Sequence, residues 1–315
     1  MIYDLAILGG GPAGVAAGVY ASRKRLKTLF ITKDFLGQSS VSEGIENWIG
    51  TVKISGTDLA KNLEAHLRAY AGDIVDIKEG SGVKTVEKAD KGSFTLTLEN
   101  GESYQTKTIL VTTGSHRQKL WGVPGADVFE HKGLTYCATC DGPLFADQDV
   151  VVIGGGNAAF ESAAQLLAYC KSVTLLHRSE NYRADPVTVK KVLAHPKMHA
   201  ITNAQIAEVK GDKFVTGLVY KDNKTGALTE LPTTGIFVEI GSIPTTGFVK
   251  NVAKLDAYNR IVVDPRTQRA TPLDPAYDGI WAAGDCTDGL YHQNNIATGD
   301  AVKALEDIYG YLHAK

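Results

Sequence analysis

Cys137-Ala138-Thr139-Cys140-Asp141 is the segment in which chemistry is densest. Two cysteines with two residues between them on one turn lie within reach of a disulfide. A local field can lower one thiol's pKa and make it a nucleophile. Disulfide exchange needs an attacking thiolate and a leaving thiolate that can be protonated. Asp141 adjoins the pair and could give or take that proton. The competing chemistry is half of a zinc site, but zinc takes four ligands. The other cysteines, Cys170 and Cys286, stand singly and far off, and His131 nearby leaves the set incomplete, so no metal is expected. Cys170, in an alanine-rich stretch, reads as core filler. Cys286, just after Gly284-Asp285, reads equally as small-residue packing or as a neighbour of a bound group.

A second kind of chemistry is written in glycine. Gly9-x-Gly11-x-x-Gly14 and Gly154-x-Gly156-x-x-Ala159 each follow an apolar run and open a small-residue run. The first glycine of such a loop permits the turn and the second lets backbone approach a pyrophosphate. The third position must be small for helix to pack on strand, and the diphosphate rests on N–H groups at the positive helix end. The contact sets are Gly9, Gly11, Pro12, Ala13 and Gly14 in the first loop, and Gly154, Gly156, Asn157, Ala158 and Ala159 in the second. Either loop alone could be a plain tight connection. Two in one chain suggest a flavin and a nicotinamide.

The first loop suits FAD. Thr112-Thr113-Gly114 and Ala282-Ala283-Gly284-Asp285 each end an apolar run, and an Asp at a parallel strand's carboxyl end can reach a ribityl hydroxyl. Gln293-Asn294-Asn295 then opens a helix to about Tyr311, whose positive end would stabilise negative charge on a reduced flavin. Gly114, Gly284, Asp285 and Asn294 join the FAD set. At the second loop an acid after the next strand would accept from a free ribose 2′-hydroxyl, whereas cations would hold a 2′-phosphate. His177-Arg178-Ser179 and Arg183 stand there, which favours NADPH; two solvated arginines on a loop are the plainer reading.

The elements that must position these residues repeat. Ile2–Leu8, the first loop, a helix to about Arg23 and a strand Thr28–Ile31 are matched by Asp149–Ile153, the second loop, a helix to about Tyr169 and a strand Ser172–Leu176. Short apolar strands feeding glycine turns imply parallel sheet covered on both faces. Gly82–Val86, Ser93–Leu98 and Glu102–Thr106 alternate and are broken by Lys91-Gly92 and Asn100-Gly101, as an antiparallel meander would be. Ile206–Val209, Phe214–Tyr220 and Leu228–Pro232 are the counterpart. The fold expected is α/β, with two Rossmann-like dinucleotide-binding domains, each a three-layer parallel sheet plus meander. The chain after Phe248 is too short for a doubly wound domain of its own. Residues 1–116 and 245–315 should therefore form a discontinuous FAD-binding domain, with 117–244 inserted as an NAD(P)H-binding domain carrying the cysteine pair.

Composition narrows the partners. At 315 residues, 43% hydrophobic and 22% charged, with net charge −2, the chain is an ordinary globular protein. It has no electrostatic reason to bind nucleic acid or an anionic membrane. No apolar run approaches the roughly 18 residues of a membrane span. Met1 leads directly into an apolar strand without a basic leader, and four cysteines are too few for a secreted framework, so the cytoplasm is expected.

Cys137-Ala138-Thr139-Cys140-Asp141-Gly142, placed shortly before the second loop, resembles the low-molecular-weight, bacterial-type thioredoxin reductases. So do Gly37-Gln38, Glu46-Asn47-Trp48-Ile49-Gly50, Gly235-Ile236-Phe237-Val238-Glu239-Ile240-Gly241 and Ala282-Ala283-Gly284-Asp285, in order along essentially the whole chain. The resemblance implies FAD contacts at Gln38, Asn47, Asp285 and Gln293. It implies that Cys140 faces the flavin, Cys137 attacks a thioredoxin or thioredoxin-like protein and Asp141 is the acid–base residue, in a homodimer. It further implies a path from NADPH to FAD, to the Cys137–Cys140 disulfide, to that protein. Two departures stand out. Ser179 replaces the second arginine of the family's His-Arg-Arg motif, which weakens the case for NADPH over NADH. Asp141-Gly142-Pro143-Leu144-Phe145 and the Gly279–Leu312 tail look like the NADH-dependent flavoprotein component of alkyl hydroperoxide reductase. That component carries an extra thioredoxin-like domain, which here is expected to be a separate protein. Rival readings are a ferredoxin-fed disulfide reductase with a vestigial nucleotide site, and a non-catalytic dinucleotide sensor.

Overall fold

In the computed structural model, which describes residues 1–42 and 44–313, the strand Ile2–Leu8 sends alternate side chains to opposite faces of its sheet. Leu5 and Ile7 enter one apolar cluster, while Ala6 and Leu8 enter another. Covering on both faces is why Leu5–Leu8 is a continuous apolar run rather than alternating. The order across its sheet is Val75–Glu79, Thr28–Thr32, Ile2–Leu8, Ser103–Val111, Phe94–Leu98, Val83–Lys88, and Ile280–Ala282 also pairs with Ser103–Val111.

Helices cover one face. Pro12–Arg23 presents Ala13, Gly14, Ala17, Gly18 and Ala21, all small and buried. Close packing requires that: a Cβ on Gly18 would lie 2.6 Å from the Leu67 side chain. Leu67 belongs to the helix Gly56–Ala71, where the Ser55 hydroxyl accepts from the Asp58 N–H at 3.0 Å as an N-cap. Its Leu59, Leu63, Leu67 and Ala71 recur every fourth residue and turn one stripe inward. Burial of the fully enclosed Leu67 alone is worth about 2 kcal/mol. The helix Asn294–His313 adds Ala297, Ala301, Ala304, Leu305 and Ile308 to the same cluster. On the other face lie Val86, Phe94, Leu96 and Leu98 of the meander, with Val249, Val252 and Ile261.

The meander's third strand departs from the expected Glu102–Thr106. It runs on to Val111, because the apolar stretch Thr108–Val111 continues into the core. Its first part pairs antiparallel with Phe94–Leu98, and its last residues pair parallel with Ile280–Ala282. One strand therefore belongs to both the meander and the parallel sheet.

Two units emerge: Met1–His116 together with the chain from Ile243 onward, and Arg117–Ser242. The second unit repeats the plan. Its parallel strands run Met198–Ile201, Ser172–Leu176, Asp149–Ile153, Gly235–Val238, Leu134–Thr135. Val150 and Val152 face the helices Asn157–Leu166 and Pro186–Leu193, while Val151 and Ile153 face a separate antiparallel sheet. That sheet is Ala204–Gly211, Val215–Asp222, Leu228–Pro232. The first helix ends at Leu166 rather than near Tyr169: the Ala168 and Tyr169 N–H groups bond the Gln165 and Leu166 carbonyls, three residues back, at 3.2 Å each, so the last turn tightens. Both units are three-layer, Rossmann-like α/β folds. Among the described residues, no helix is long and apolar enough to cross a membrane.

Candidate functional site

Cys137 and Cys140 are joined as a disulfide, their Cα atoms 5.3 Å apart. Cys137 caps the single helical turn Ala138–Asp141, and its Sγ accepts the Cys140 N–H at 3.2 Å. An N–H aimed at a sulfur favours negative charge there, so Cys137 is the better placed thiolate once the pair is reduced. Cys137 and Asp141 are half-buried, and Cys140 is exposed. Asp141 is held from behind: Thr135 Oγ1 donates to its Oδ2 and accepts the Cys137 N–H at 3.4 Å. Thr139 Oγ1 donates to Gln165 Oε1 at 3.1 Å, tying the turn to the helix Asn157–Leu166. Gly142 is needed next, because a Cβ there would lie 2.1 Å from the Tyr169 oxygen. The other thiols are inert: burial pushes Cys170 up to about 11 and Cys286 up to about 12. Among the described residues, no group of His, Cys, Asp or Glu could hold a metal.

In the unit containing Ile2–Leu8, a cleft of about 510 Å³ opens at the carboxyl ends of the parallel strands. Gly9, Gly11, Pro12, Ala13, Gln38, Gly114, Gly284, Asp285 and Asn294 all line it. Gly14 forms the wall behind; its Cβ would sit 1.8 Å from the Gly9 carbonyl oxygen. Gly11 has open space where its Cβ would be, so backbone faces the cleft bare. Gln38 Nε2 donates to the Ser115 carbonyl, and Ser39 Oγ donates to Asn294 Oδ1 at 3.0 Å. Asn47 and Gln293 do not line the cleft. They bond each other at 3.1 Å, and Asn295 Nδ2 donates to the Asn47 carbonyl at 2.7 Å, strapping this loop to the start of the last helix.

The second glycine loop is built alike in its own unit. A Cβ on Gly154 would meet the Glu239 carbonyl oxygen at 2.4 Å, whereas Gly156 is open. Asn157 and Ala158 are exposed, and Ala159 is buried against the sheet. His177 lies beneath the loop rather than on its open side. Its ring would be 2.2 Å from a Cβ on Gly155, and its Nε2 bonds the Asn181 carbonyl at 3.0 Å. The Arg183 N–H donates to the Gly155 carbonyl at 2.7 Å, and both Arg178 and Arg183 side chains are exposed.

Residues 3–301 match the pyridine nucleotide-disulphide oxidoreductase family. The chain belongs to that family. This oxidoreductase is 39% identical over 312 residues to an alkyl hydroperoxide reductase component of Pseudomonas aeruginosa, and 36% identical over 310 residues to an NADH dehydrogenase of Bacillus subtilis. Each alignment covers 98% of this chain but 58% of the relative, so the chain spans little more than half the length of these curated relatives. Among solved structures, the oxidoreductase superposes on thioredoxin reductase from Streptococcus pyogenes with a TM-score of 0.87 at 32% identity, covering 100% of this chain and 99% of that one. For thioredoxin reductase from Giardia duodenalis the values are 0.90 and 30%, with 98% of each chain covered.

Membership implies FAD and a pyridine nucleotide, and the cleft fits the former. Besides the bare backbone at Gly11, Thr245 Oγ1 lines the cleft and is buried without a hydrogen-bond partner. Thr113, in the Thr112-Thr113-Gly114 segment, donates its Oγ1 to the Thr245 carbonyl at 2.6 Å. Thr245 itself escaped the sequence reading, as did Thr135 behind Asp141. No motif marks them. Glu239 did carry a signal, an acid inside the apolar run Ile236–Ile240. Burial pushes its carboxyl up to about 7, while Ser162 Oγ donates to it at 2.7 Å. Between pH 4.5 and about 7 the unfolded chain releases a proton that the folded oxidoreductase retains, so stability declines as pH rises through that window and then levels off. Glu239→Gln should abolish this decline, leaving the Arg117–Ser242 unit about 3 kcal/mol less pH-sensitive. Urea unfolding at pH 5 and pH 8 measures it; an unchanged difference in the variant would trace the pH dependence to other groups.

Proposed function

We propose that this chain is a thioredoxin-type disulfide reductase. FAD is held by residues 1–116 and 245–315, and NADPH by residues 117–244. What carries the reading is the Cys137–Cys140 disulfide with Asp141 hydrogen-bonded behind it. When bound, FAD relays two electrons between the pyridine nucleotide and that disulfide. In the reduced pair, Cys137 bears the thiolate favoured by the Cys140 N–H and attacks the partner's disulfide. Asp141, anchored by the hydrogen bond from Thr135, donates a proton to the thiolate that leaves. Cys140 then attacks the Cys137 sulfur, releasing the second partner thiol and restoring the disulfide. A small thioredoxin-like protein suits this exchange, and the thioredoxin reductases among the structural neighbours support it.

The relatives favour a second reading in one respect. The alkyl hydroperoxide reductase component is a curated relative, and Ser179 stands where an arginine would strengthen 2′-phosphate binding. An NADH-fed reductase of a peroxiredoxin system therefore differs from the first reading in donor and partner, while sharing the cysteine chemistry. Anaerobic mixing of the holoenzyme with NADPH and separately with NADH, followed by flavin absorbance, decides the donor. Faster bleaching by NADPH supports the first reading and faster bleaching by NADH the second; no bleaching by either sinks both. Asp141→Asn should slow disulfide exchange by about 10²-fold while leaving flavin bleaching intact. An unaltered exchange rate would show that Asp141 only supports the turn.

A further inference from the structure

The loop after the Ser172–Leu176 strand is not left to itself. The turn joining Val215–Asp222 to Leu228–Pro232 docks onto it. Asn223 Nδ2 donates to the Arg178 carbonyl at 2.9 Å, and the Asn203 N–H donates to the Ser179 carbonyl at 3.2 Å. The Asn223 N–H in turn reaches the Asn203 carbonyl at 2.7 Å. Asp222 stiffens the turn by accepting the Lys224 and Thr225 N–H groups at 2.7 and 2.9 Å. The outcome is one defined ion pair, Lys224 Nζ to Glu180 Oε1 at 2.8 Å. Arg178 and Arg183, on the same loop, have no ion-pair partner among the described residues.

The charges decide what this arrangement does. With Lys224 in place, Glu180 is neutralised locally and the two arginines remain in surplus. Without it, Glu180 offsets one of the two arginine charges and puts a carboxylate on the loop's open side. A carboxylate beside a dinucleotide's ribose repels a 2′-phosphate and accepts from a free 2′-hydroxyl. We infer that Lys224 contributes to pyridine-nucleotide specificity: by neutralising Glu180 it leaves both arginine charges uncompensated and favours the dinucleotide that carries a 2′-phosphate. The inference rests on reading Gly154–Ala159 as the pyridine-nucleotide loop. It also assigns a function to the meander, which supplies from a distant segment the cation that Ser179 does not.

Calorimetric titration of the holoenzyme with NADP+, NAD+ and 2′,5′-ADP tests this without turnover. Wild type should bind NADP+ more tightly than NAD+, with a preference that shrinks as salt is raised. Lys224→Ala should weaken NADP+ and 2′,5′-ADP by about 3- to 5-fold and change NAD+ by less than about 2-fold, the size expected of one exposed charge. Adding Glu180→Gln to Lys224→Ala should restore NADP+ to within about 2-fold of wild type, because the repelling charge is gone. An unchanged ratio in Lys224→Ala overturns the inference, as does a loss that Glu180→Gln fails to relieve, which would make the turn a structural brace only. Wild type that binds none of the three removes the underlying loop assignment and the inference with it. Preference for NAD+ together with an unresponsive Lys224→Ala removes the inference alone.

Discussion

Cys140→Ser should stop turnover, by on the order of 10³-fold or more, and leave the protein substrate covalently attached through Cys137. The substitution removes one sulfur while keeping the Cys140 backbone N–H that points at Cys137 Sγ. Cys137 therefore keeps the interaction that favours its thiolate and can still open a partner disulfide. The second exchange, in which residue 140 attacks the Cys137 sulfur, has no nucleophile, because a serine hydroxyl stays protonated where a thiol ionises. The variant, reduced and mixed with a thioredoxin-like disulfide protein, should run as an adduct on a non-reducing gel and return to two bands with dithiothreitol. Cys137→Ser should give no adduct by this route. If the adduct forms with Cys137→Ser and not with Cys140→Ser, the two roles are exchanged. Near-normal turnover in Cys140→Ser would dissolve the proposed chemistry altogether.

Gly14→Ala should yield colourless, destabilised protein. The added Cβ would come 1.8 Å from the Gly9 carbonyl oxygen and 2.9 Å from Thr112 Oγ1. Gly9 cannot yield easily, since its N–H donates to the Ile31 carbonyl at 2.8 Å and even a Cβ built on it would lie 2.4 Å from the Thr112 carbonyl oxygen. Helix and loop must separate, at a cost of about 1–3 kcal/mol or more, and the N–H groups that would face a diphosphate lose their alignment. Gly11→Ala is the instructive contrast. Nothing lies within 4 Å of its Cβ position, so the apoprotein should melt like wild type while its flavin affinity falls, since the methyl stands in the cleft. Flavin-to-protein absorbance after purification, with thermal melts of the apoproteins, separates the two. Equal flavin content in Gly14→Ala and wild type would detach this loop from cofactor binding.

What could be read from sequence is what is local. The Cys137–Cys140 spacing, the glycine positions and the split of Val150–Ile153 between two faces are encoded within a few residues of one another. The helix Gly56–Ala71 was legible too, through Ser55 with Asp58 and the four-residue recurrence of Leu59, Leu63 and Leu67, but its lack of chemistry left it unread. Other features depend on how the chain returns. That Thr135 points its hydroxyl at Asp141, or that Asn223 meets Arg178, is decided by tertiary approach, for which side-chain type carries no mark. The two uses of Ser103–Val111 were hidden because the chain pairs it with Ile280–Ala282 only after the whole inserted unit.

That late pairing has a bearing on how the molecule is made. On a ribosome the Arg117–Ser242 unit holds every strand of its own sheet within one continuous segment, so it can close while later residues are still being added. The sheet around Ile2–Leu8 must wait for Ile280–Ala282 and the helix behind it, leaving one edge of Ile109–Val111 bare in the interval. A bare strand edge is a template for pairing with another chain, so Ile280–Ala282 also serves as the cover for Ile109–Val111.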